Sequence, residues 1–338
     1  MDTTHKLDVH LHGIGPGLSA RLQYRFLKLV LRILRFARAR RFIYPGFWLV
    51  GKLFGRAGWV DAEVDSGIRL QLGLHDPYWM PAVLTGAFDE ETEWFLDSLP
   101  PDQTLLVDCG ANIGWVSLVG EKRLKWRCVA VEAAGHLVAK TTTNRRLSHA
   151  NFDILHKAVW RSDDEPVTFM TDYEHHAGGH VASIPRHIAA SRLPMLEPVG
   201  TITVDTIVHE WRERNGAVNR IVIKLDVEGA EAEAIQGAAG TLRDGAILIY
   251  EDHGAEPDCR STEAALTFGL AVFSVQPGKL TLIHSVDEVR QMKTNRKKGY
   301  NFVAVRPEFV GSLTVAVDQK ARVLPALHEE GEMVGPRQ

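Results

Sequence analysis

The chain has 338 residues, of which 45% are hydrophobic and 24% charged, and its formal net charge at pH 7 is −3. This composition is typical of a soluble globular protein with a sizeable core and excludes a disordered or fibrous chain. The three cysteines, Cys109, Cys128 and Cys259, lie far apart, so neither a disulfide framework nor a paired-cysteine metal site is expected.

The amino-terminal extension, residues 1–57, carries a concentrated positive charge. Ten Lys or Arg residues and no acidic residue fall between residues 21 and 56. Several are spaced by three or four residues, which places them on one face of a predicted helix: Arg21, Arg25, Lys28, Arg32 and Arg35. Such a basic amphipathic helix either lies on an anionic membrane surface or packs on the catalytic domain. The rest of the chain is acidic, which argues against a nucleic-acid partner.

Neither a membrane span nor a secretory signal is predicted. The longest uncharged stretch of the basic segment, residues 42–51, is half as long as the ~20 residues that a span needs. The first residues lack the apolar core of a signal peptide. We therefore expect a cytoplasmic protein, with peripheral attachment at the inner face of a membrane as the alternative that the basic segment leaves open.

The remaining chain predicts a hairpin and a helix followed by an α/β domain. Within residues 58–100, alternating side chains at 59–64 and 68–72 flank a turn at 65–67, and a helix over 89–99 ends at two prolines. Buried strands are predicted at 104–107, 128–131, 153–155, 221–225 and 247–250. Their alternation with helical stretches predicts a mostly parallel sheet with helices on both faces over residues 101–310, followed by a carboxy-terminal tail over 311–338.

A candidate ligand site follows the first strand of that domain. We call residues 108–114 the glycine loop; its candidate binding residues are Asp108, Gly110, Asn112 and Gly114. Glycines let the backbone turn tightly and approach a ligand. The loop lacks the GxGxxG spacing of a dinucleotide site, and an acid there suits an amino group and a sulfonium better than a pyrophosphate. Glu132 ends the next strand, where an acid can accept hydrogen bonds from both ribose hydroxyls.

A second motif lies at the end of the strand predicted at 221–225. Residues 224–231 read K-x-D-V-E-G-x-E, with these fixed positions: Lys224, Asp226, Val227, Glu228, Gly229 and Glu231. Together with the glycine loop, this motif resembles the FkbM family of S-adenosylmethionine-dependent methyltransferases. Asn144, residues 203–207 and a predicted late strand at residues 301–304 agree with the family, and the resemblance covers roughly residues 60–306. It departs at 132–135, where E-A-A-G replaces E-P-x-P and puts the start of the next helix in question.

The resemblance implies a Rossmann-like class I methyltransferase fold and S-adenosylmethionine as cofactor. It also implies methyl transfer to oxygen, commonly a hydroxyl of a saccharide, glycolipid or polyketide-like natural product. A nicotinamide-dependent oxidoreductase is the alternative enzyme, but it would need a pyrophosphate-binding loop. A non-catalytic scaffold protein is the other alternative, although it would be expected to lose the cofactor acids, which are all present.

Candidate catalytic residues lie at the ends of two adjacent predicted strands, at Lys224, Asp226, Glu251 and His253. In one mechanism, His253 is the general base, oriented by Asp226 or Glu251. In the other, Asp226 with Glu251 or Asp252 holds a divalent cation such as magnesium, which lowers the pKa of the acceptor hydroxyl. We favour the metal-independent mechanism and assign no metal ligands. A purely structural alternative is that Lys224, Glu228 and Glu231 form a charge network that holds the turn.

Overall fold

The protein is described by a computed structural model, which covers residues 10–14, 21–22, 25–26, 29, 59–64, 67–73, 76, 79, 89–171, 179–183, 195–296 and 298–313. The strands are β1 (His10–Ile14), β2 (Trp59–Val64), β3 (Ile68–Gly73), β4 (Thr104–Cys109), β5 (Arg127–Glu132), β6 (Asp153–His156), β7 (Ala158–Val159), β8 (Pro166–Thr171), β9 (His180–Val181), β10 (Met195–Ile202), β11 (Arg220–Leu225), β12 (Ile247–His253), β13 (Ala271–Gln276), β14 (Lys279–Ile283) and β15 (Gly299–Val305). The α-helices are α1 (Glu90–Ser98), α2 (Trp115–Leu118), α3 (Gly135–Leu147), α4 (Val204–Asn215), α5 (Glu231–Gln236), α6 (Ala239–Arg243), α7 (Arg260–Thr267) and α8 (Val286–Met292). A π-helical turn (Val119–Arg123) continues α2, and a 3-10 helix (Pro307–Ser312) follows β15.

The central sheet has the strand order β14-β13-β15-β12-β11-β4-β5-β6. Strands β6, β5, β4, β11 and β12 run parallel, whereas β15 runs antiparallel to both β12 and β13, and β14 runs antiparallel to β13. The strand order reverses between β4 and β11, because the chain builds β5 and β6 on one side of β4 before β11 and β12 on the other. Ligands of open α/β sheets bind beyond the carboxyl ends of the strands at such a switch point.

The strands predicted from apolar runs are all present in this sheet, which confirms the mostly parallel α/β architecture. Strand β12 is longer than predicted, since it continues to His253. Residues 251–253 therefore lie within the strand, where successive side chains point to opposite faces. The antiparallel end of the sheet was predicted only as one late strand near residues 301–304.

Helices cover both faces of the sheet, as predicted. Along β4, Leu106 packs into one core with the hairpin and α1, while Leu105 and Val107 pack into another with α4 and α6. All six side chains of β4 are buried, so this strand lies in the centre of the molecule. The predicted hairpin is confirmed as the antiparallel pair β2–β3, to which β1 adds a third strand.

A smaller sheet, in the order β7-β10-β8-β9, lies between β6 and α4 along the chain. Strand β10 pairs antiparallel with β8 and parallel with β7. Nothing in the sequence analysis predicted this sheet. It matters for function because Phe169 of β8 and Val181 of β9 form part of the wall of the cavity described below.

The predicted basic helix lies largely outside the described residues. Arg21, Leu22, Arg25, Phe26 and Leu29 are described and helical. Phe26 packs against the core, whereas Leu22 and Leu29 are 50% and 55% exposed. Residues 30–58 and 314–338 fall outside the described part of the chain. Within the part that is described, no helix is both long enough and apolar enough to cross a bilayer.

Candidate active site

A cavity of about 300 Å³ lies at the carboxyl ends of the parallel strands, next to the switch point. The predicted site residues that line it are Gly110, Asn112, Glu132, Asp226, Glu251 and His253. Asp108, Gly114 and Lys224 are not part of its lining and lie behind it. The structure thus brings the end of β4, the end of β5 and the ends of β11 and β12 to one cavity.

The glycine loop has a backbone that requires glycine at Gly110. Its φ is +76°, and a Cβ added there would overlap the backbone carbonyl of Asp226. The loop is also tied to β5, because the N–H groups of Gly110 and Ala111 both donate to the carbonyl of Val131, at 2.9 and 3.0 Å. Gly110 therefore lies in direct backbone contact with Asp226, the residue that follows β11.

Glu132 is buried at the floor of the cavity, with 5% of its surface exposed. Its Oε2 accepts the N–H of Asn112 at 2.7 Å and its Oε1 accepts the N–H of Ala134 at 2.9 Å. Burial raises the pKa of Glu132 to about 7, although both N–H donors favour the ionised form. A carboxylate has about four acceptor positions, so it can accept two further hydrogen bonds from a ligand.

The helix after Glu132 begins without the proline of the family pattern. Helix α3 begins at Gly135, whose N–H donates to Glu197 Oε2 at 3.1 Å. An acidic side chain is favourable at a helix amino terminus, because it complements the unpaired N–H groups there. The glutamate of β10 thus supports the start of the helix where E-A-A-G departs from the family.

Asp108 and Lys224 form a buried ionic centre behind the glycine loop. Asp108 is fully buried, and its Oδ2 accepts the N–H and the hydroxyl of Ser117 at 3.0 and 2.6 Å. Lys224 Nζ lies 3.7 Å from Asp108 Oδ1 and 3.2 Å from both Asp226 Oδ2 and the Gly110 carbonyl. Burial disfavours the ammonium ion, but Asp226 and Asp108 together raise the pKa of Lys224 above its usual range. Direct contact of Asp108 or Lys224 with a ligand stays a prediction.

The turn after β11 is held by Glu231. The two carboxylate oxygens of Glu231 accept the N–H groups of Val227 and Gly229, both at 2.9 Å. Glu228 and Gly229 have φ values of +56° and +99°, so the turn is sharply bent. Burial raises the pKa of Glu231 to about 8. The geometry of Glu231 is that of a residue that holds the turn, as the structural alternative for this motif expected.

The end of the cavity opposite Glu132 is acidic. Asp226 and Glu228 follow β11, and Glu251 projects from β12 beside them. A Cβ at Gly299 would collide with the Glu251 carboxyl, so this glycine leaves room for the carboxyl. Burial, followed by repulsion from Asp226 and Glu228, raises the pKa of Glu251 well above its usual range. Among the described residues, none donates a hydrogen bond to Glu251 or forms an ion pair with it.

His253 also lines the cavity, and its Nδ1 accepts the backbone N–H of Ala255 at 3.1 Å. A neutral imidazole that accepts at Nδ1 carries its proton on Nε2. In this geometry Nε2 is therefore a donor, and the role of His253 as general base stays a prediction.

Asp252 requires a correction to the metal-dependent mechanism. Because it alternates with Glu251 and His253, it points to the opposite face of the sheet, where it accepts from Thr262 and pairs with Lys293. Asp252 is fully buried there and cannot join Asp226 around a magnesium ion. Within the described residues, no group of three or more His, Cys, Asp or Glu side chains is arranged to hold a metal ion.

Several cavity residues were missed by the sequence analysis. Lys157 follows β6, Ala158 and Val159 form β7 directly after it, and Phe169 and Val181 lie on β8 and β9 of the small sheet. The first three carry a usable signal, since they follow a predicted parallel strand whose carboxyl end must reach the same edge as the others. Phe169 and Val181 carry no comparable signal.

Comparison with solved structures finds distant similarity to enzymes. The precorrin-6y C5,15-methyltransferase of Geobacter metallireducens is 10% identical, with a TM-score of 0.36 over 65% of this chain and 89% of that one. A methyltransferase of Pyrococcus furiosus is 9% identical, with a TM-score of 0.29 over 62% and 78%. The spermidine synthase of Thermotoga maritima is 12% identical, with a TM-score of 0.30 over 73% and 64%. A comparison with curated proteins finds no match.

The family comparison is decisive. The model of the methyltransferase FkbM domain matches residues 108–302, which is more than half of the chain and extends from the glycine loop into β15. This match and the strand order confirm the expected Rossmann-like class I fold, and they favour methyl transfer over nicotinamide-dependent oxidation. The chain belongs to the FkbM family of S-adenosylmethionine-dependent methyltransferases.

Proposed function

We propose that the protein methylates a hydroxyl oxygen of a small acceptor and that the carboxylate of Glu251 accepts the hydroxyl proton. The observation that carries this proposal is the position of Glu251. Its carboxyl lies in the cavity wall, next to Asp226 and opposite Glu132, without a hydrogen bond or ion pair from the described residues. A buried carboxylate with a raised pKa is a stronger proton acceptor than an exposed one.

The cavity fits S-adenosylmethionine at the end formed by the glycine loop and Glu132. The two remaining acceptor positions of Glu132 match the two hydroxyls of a ribose. Glycine at position 110 keeps the loop open where a Cβ would overlap Asp226. Apolar side chains beside Glu132, at Val131, Leu137 and Val159, provide a surface for the adenine ring. S-adenosylmethionine supplies a methyl group that is already activated by its sulfonium.

The acidic end of the cavity then receives the acceptor. The acceptor oxygen forms a bond to the methyl carbon while the carbon–sulfur bond breaks and its electron pair returns to sulfur. The hydroxyl proton passes to a Glu251 oxygen, which leaves a methyl ether and S-adenosylhomocysteine. The protein contributes by holding the acceptor oxygen and the methyl carbon close together and aligned. The Nε2–H group of His253 donates a hydrogen bond that orients the acceptor.

The acceptor class that we propose is a saccharide, a glycolipid or a polyketide-like product, as the family resemblance implies. The exposure of Leu22 and Leu29 beside Arg21 and Arg25 supports peripheral contact with an anionic membrane, where glycolipids are found. The acceptor class is tested by transfer of labelled methyl groups into lipid, saccharide and protein fractions of a cell extract. Label confined to protein would contradict it, and equal flotation with anionic and neutral vesicles would contradict electrostatic membrane contact.

Glu251→Gln tests the proton acceptor. The amide has nearly the same shape but cannot take up the proton, so kcat should fall by about 10²- to 10⁴-fold. The dissociation constant for S-adenosylmethionine, measured by calorimetry, should stay within about threefold, because Glu251 lies away from the donor end.

The matched control is Glu233→Gln, since Glu233 pairs with Arg260 outside this cavity. Its kcat should equal that of the wild type. A Glu251→Gln enzyme with undiminished kcat would refute Glu251 as the proton acceptor. Binding of NAD without binding of S-adenosylmethionine would refute the proposed function as a whole.

A further inference from the structure

Trp79 contacts the glycine loop although it lies outside the region that the family model matches. Its side chain is buried, with 8% exposed, and its Nε1–H donates to Asn112 Oδ1 at 3.2 Å. Its own backbone N–H donates to Asp76 Oδ1 at 2.9 Å. An indole N–H is only a donor, so its partner on the Asn112 amide must be the oxygen. The contact therefore decides the orientation of the amide.

Asn112 is held by its backbone conformation and by three hydrogen bonds. Its φ of +53° is left-handed, a conformation that asparagine adopts more readily than most residues. Its N–H donates to Glu132 at 2.7 Å, and its carbonyl accepts from Thr141 Oγ1 at 2.6 Å. Trp79 holds the side chain as a third point of attachment. These partners come from β5, from α3 and from the segment that precedes the family domain.

The hairpin before Trp79 is attached to the same loop by a second route. The outer edge of β3 bonds to side chains of the α3 region: Gln71 N–H donates to Asn144 Oδ1 at 2.8 Å, and Arg69 N–H donates to Ser148 Oγ at 2.8 Å. The Nδ2–H group of the same Asn144 amide donates to the carbonyl of Ile113 at 2.9 Å. Asn144 is fully buried, and its bond to Ile113 is buried with it, whereas the bond from Gln71 is partly buried.

We propose that Trp79 is a positioning residue for the methyl donor, which acts by fixing the side-chain amide of Asn112 in the cavity wall. Trp79 and β3, which both precede the family domain, thereby complete its donor site. The inference rests on binding of S-adenosylmethionine at the glycine loop. It assigns part of that site to residues outside 108–302.

Trp79→Phe tests the inference, because it keeps a buried aromatic ring and removes the N–H donor. One lost hydrogen bond should raise the dissociation constant for S-adenosylmethionine by about 3- to 10-fold. The same substitution in an Asn112→Ala background should have no further effect, since the partner is already gone. If the role of Trp79 is purely structural, Trp79→Phe should lower the thermal stability of both the wild type and the Asn112→Ala variant. Its effect on the dissociation constant should then not depend on Asn112.

Trp115→Phe is the matched control. Its Nε1–H donates to Glu93 at 3.0 Å, it is 2% exposed, and it does not line the cavity. The dissociation constant of the Trp115→Phe variant for S-adenosylmethionine should equal that of the wild type. If Trp79→Phe fails to fold, Asp76→Ala loosens the Trp79 backbone without changing the indole and should weaken binding in the same direction.

Two results overturn the inference: an unchanged dissociation constant in the Trp79 variant, or effects of the Trp79 and Asn112 substitutions that simply add. A wild-type protein that does not bind S-adenosylmethionine would instead refute the proposed function, so the two failures are distinguishable.

Discussion

Acidification should weaken binding of S-adenosylmethionine through a single group, Glu132. Burial raises the pKa of this carboxyl to about 7, whereas its ordinary value lies near that of a free glutamate. The ionised form can accept two ribose hydroxyls in addition to the N–H groups of Asn112 and Ala134. The protonated form has lost acceptor capacity and carries a hydrogen of its own. The donor therefore binds the ionised form, and affinity falls as pH falls through the pKa of Glu132.

The size of the effect follows from the ionised fraction. About half of Glu132 is ionised at pH 7 and about 1% at pH 5, so the apparent dissociation constant should rise about 50-fold between these values. Calorimetric titrations between pH 5 and 7 measure this directly. The range stops at pH 7 because the α-amino group of the donor titrates near pH 8.

Glu132→Gln provides the internal control. The amide cannot ionise, so this variant should bind S-adenosylmethionine more weakly than the wild type at pH 7 and with no pH dependence over the same range. Near-UV circular dichroism at each pH shows whether the protein remains folded. A wild-type dissociation constant that stays level, or one that falls on acidification, would refute the role given to Glu132. A Glu132→Gln variant that keeps the full pH dependence would assign the titration to another group.

Two further substitutions probe the contact between the glycine loop and β11. Gly110→Ala combines left-handed strain, about 1–2 kcal/mol, with overlap of the Asp226 carbonyl, so urea unfolding should show a loss of more than about 2 kcal/mol. The control is Gly67→Ala, because Gly67 has a φ of +77° and no atom lies within 4 Å of an added Cβ. This control should show only the strain, and equal losses in the two variants would contradict the collision. Lys224→Met leaves the buried Asp108 carboxylate without its cation, so the free energy of unfolding should fall by about 3–5 kcal/mol; a loss below 1 kcal/mol in the same measurement would show that the pair contributes little.

The parallel core could be predicted from the sequence because each buried strand is a short apolar run followed by a polar residue or a glycine. Such runs occur at 104–107 and 247–250, and their carboxyl ends had to meet at one edge of the sheet. The predicted positions of Glu132, Asp226 and Glu251 at one cavity follow from this rule alone. The rule requires only that the parallel strands be known, and the alternation of strands with helices identifies them.

The direction of each side chain could not be predicted with equal success, because it depends on where a strand ends. Residues 251–253 were expected at the end of the strand predicted at 247–250, yet they lie within β12. Strand alternation then sends Glu251 and His253 to the cavity and Asp252 to Lys293 on the other face. At the end of β4, Asp108 accepts two hydrogen bonds from Ser117, a partner that the sequence pattern does not identify. The pair of Trp79 and Asn112 had no local signal, since the hairpin joins them across the fold.

The two motifs of the family form one mechanical unit, and this decides which variants can separate donor binding from methyl transfer. The Asp226 N–H donates to the Cys109 carbonyl at 3.1 Å, and Lys224 reaches the Gly110 carbonyl at 3.2 Å. Any displacement of the glycine loop therefore moves Asp226 as well, so substitutions at Gly110 or Lys224 should change donor affinity and kcat together. Glu132 and Glu251 lie at opposite ends of the cavity, outside this contact. We therefore expect affinity and rate to change independently at those two ends, because in the proposed reaction Glu132 faces the methyl donor and Glu251 faces the acceptor.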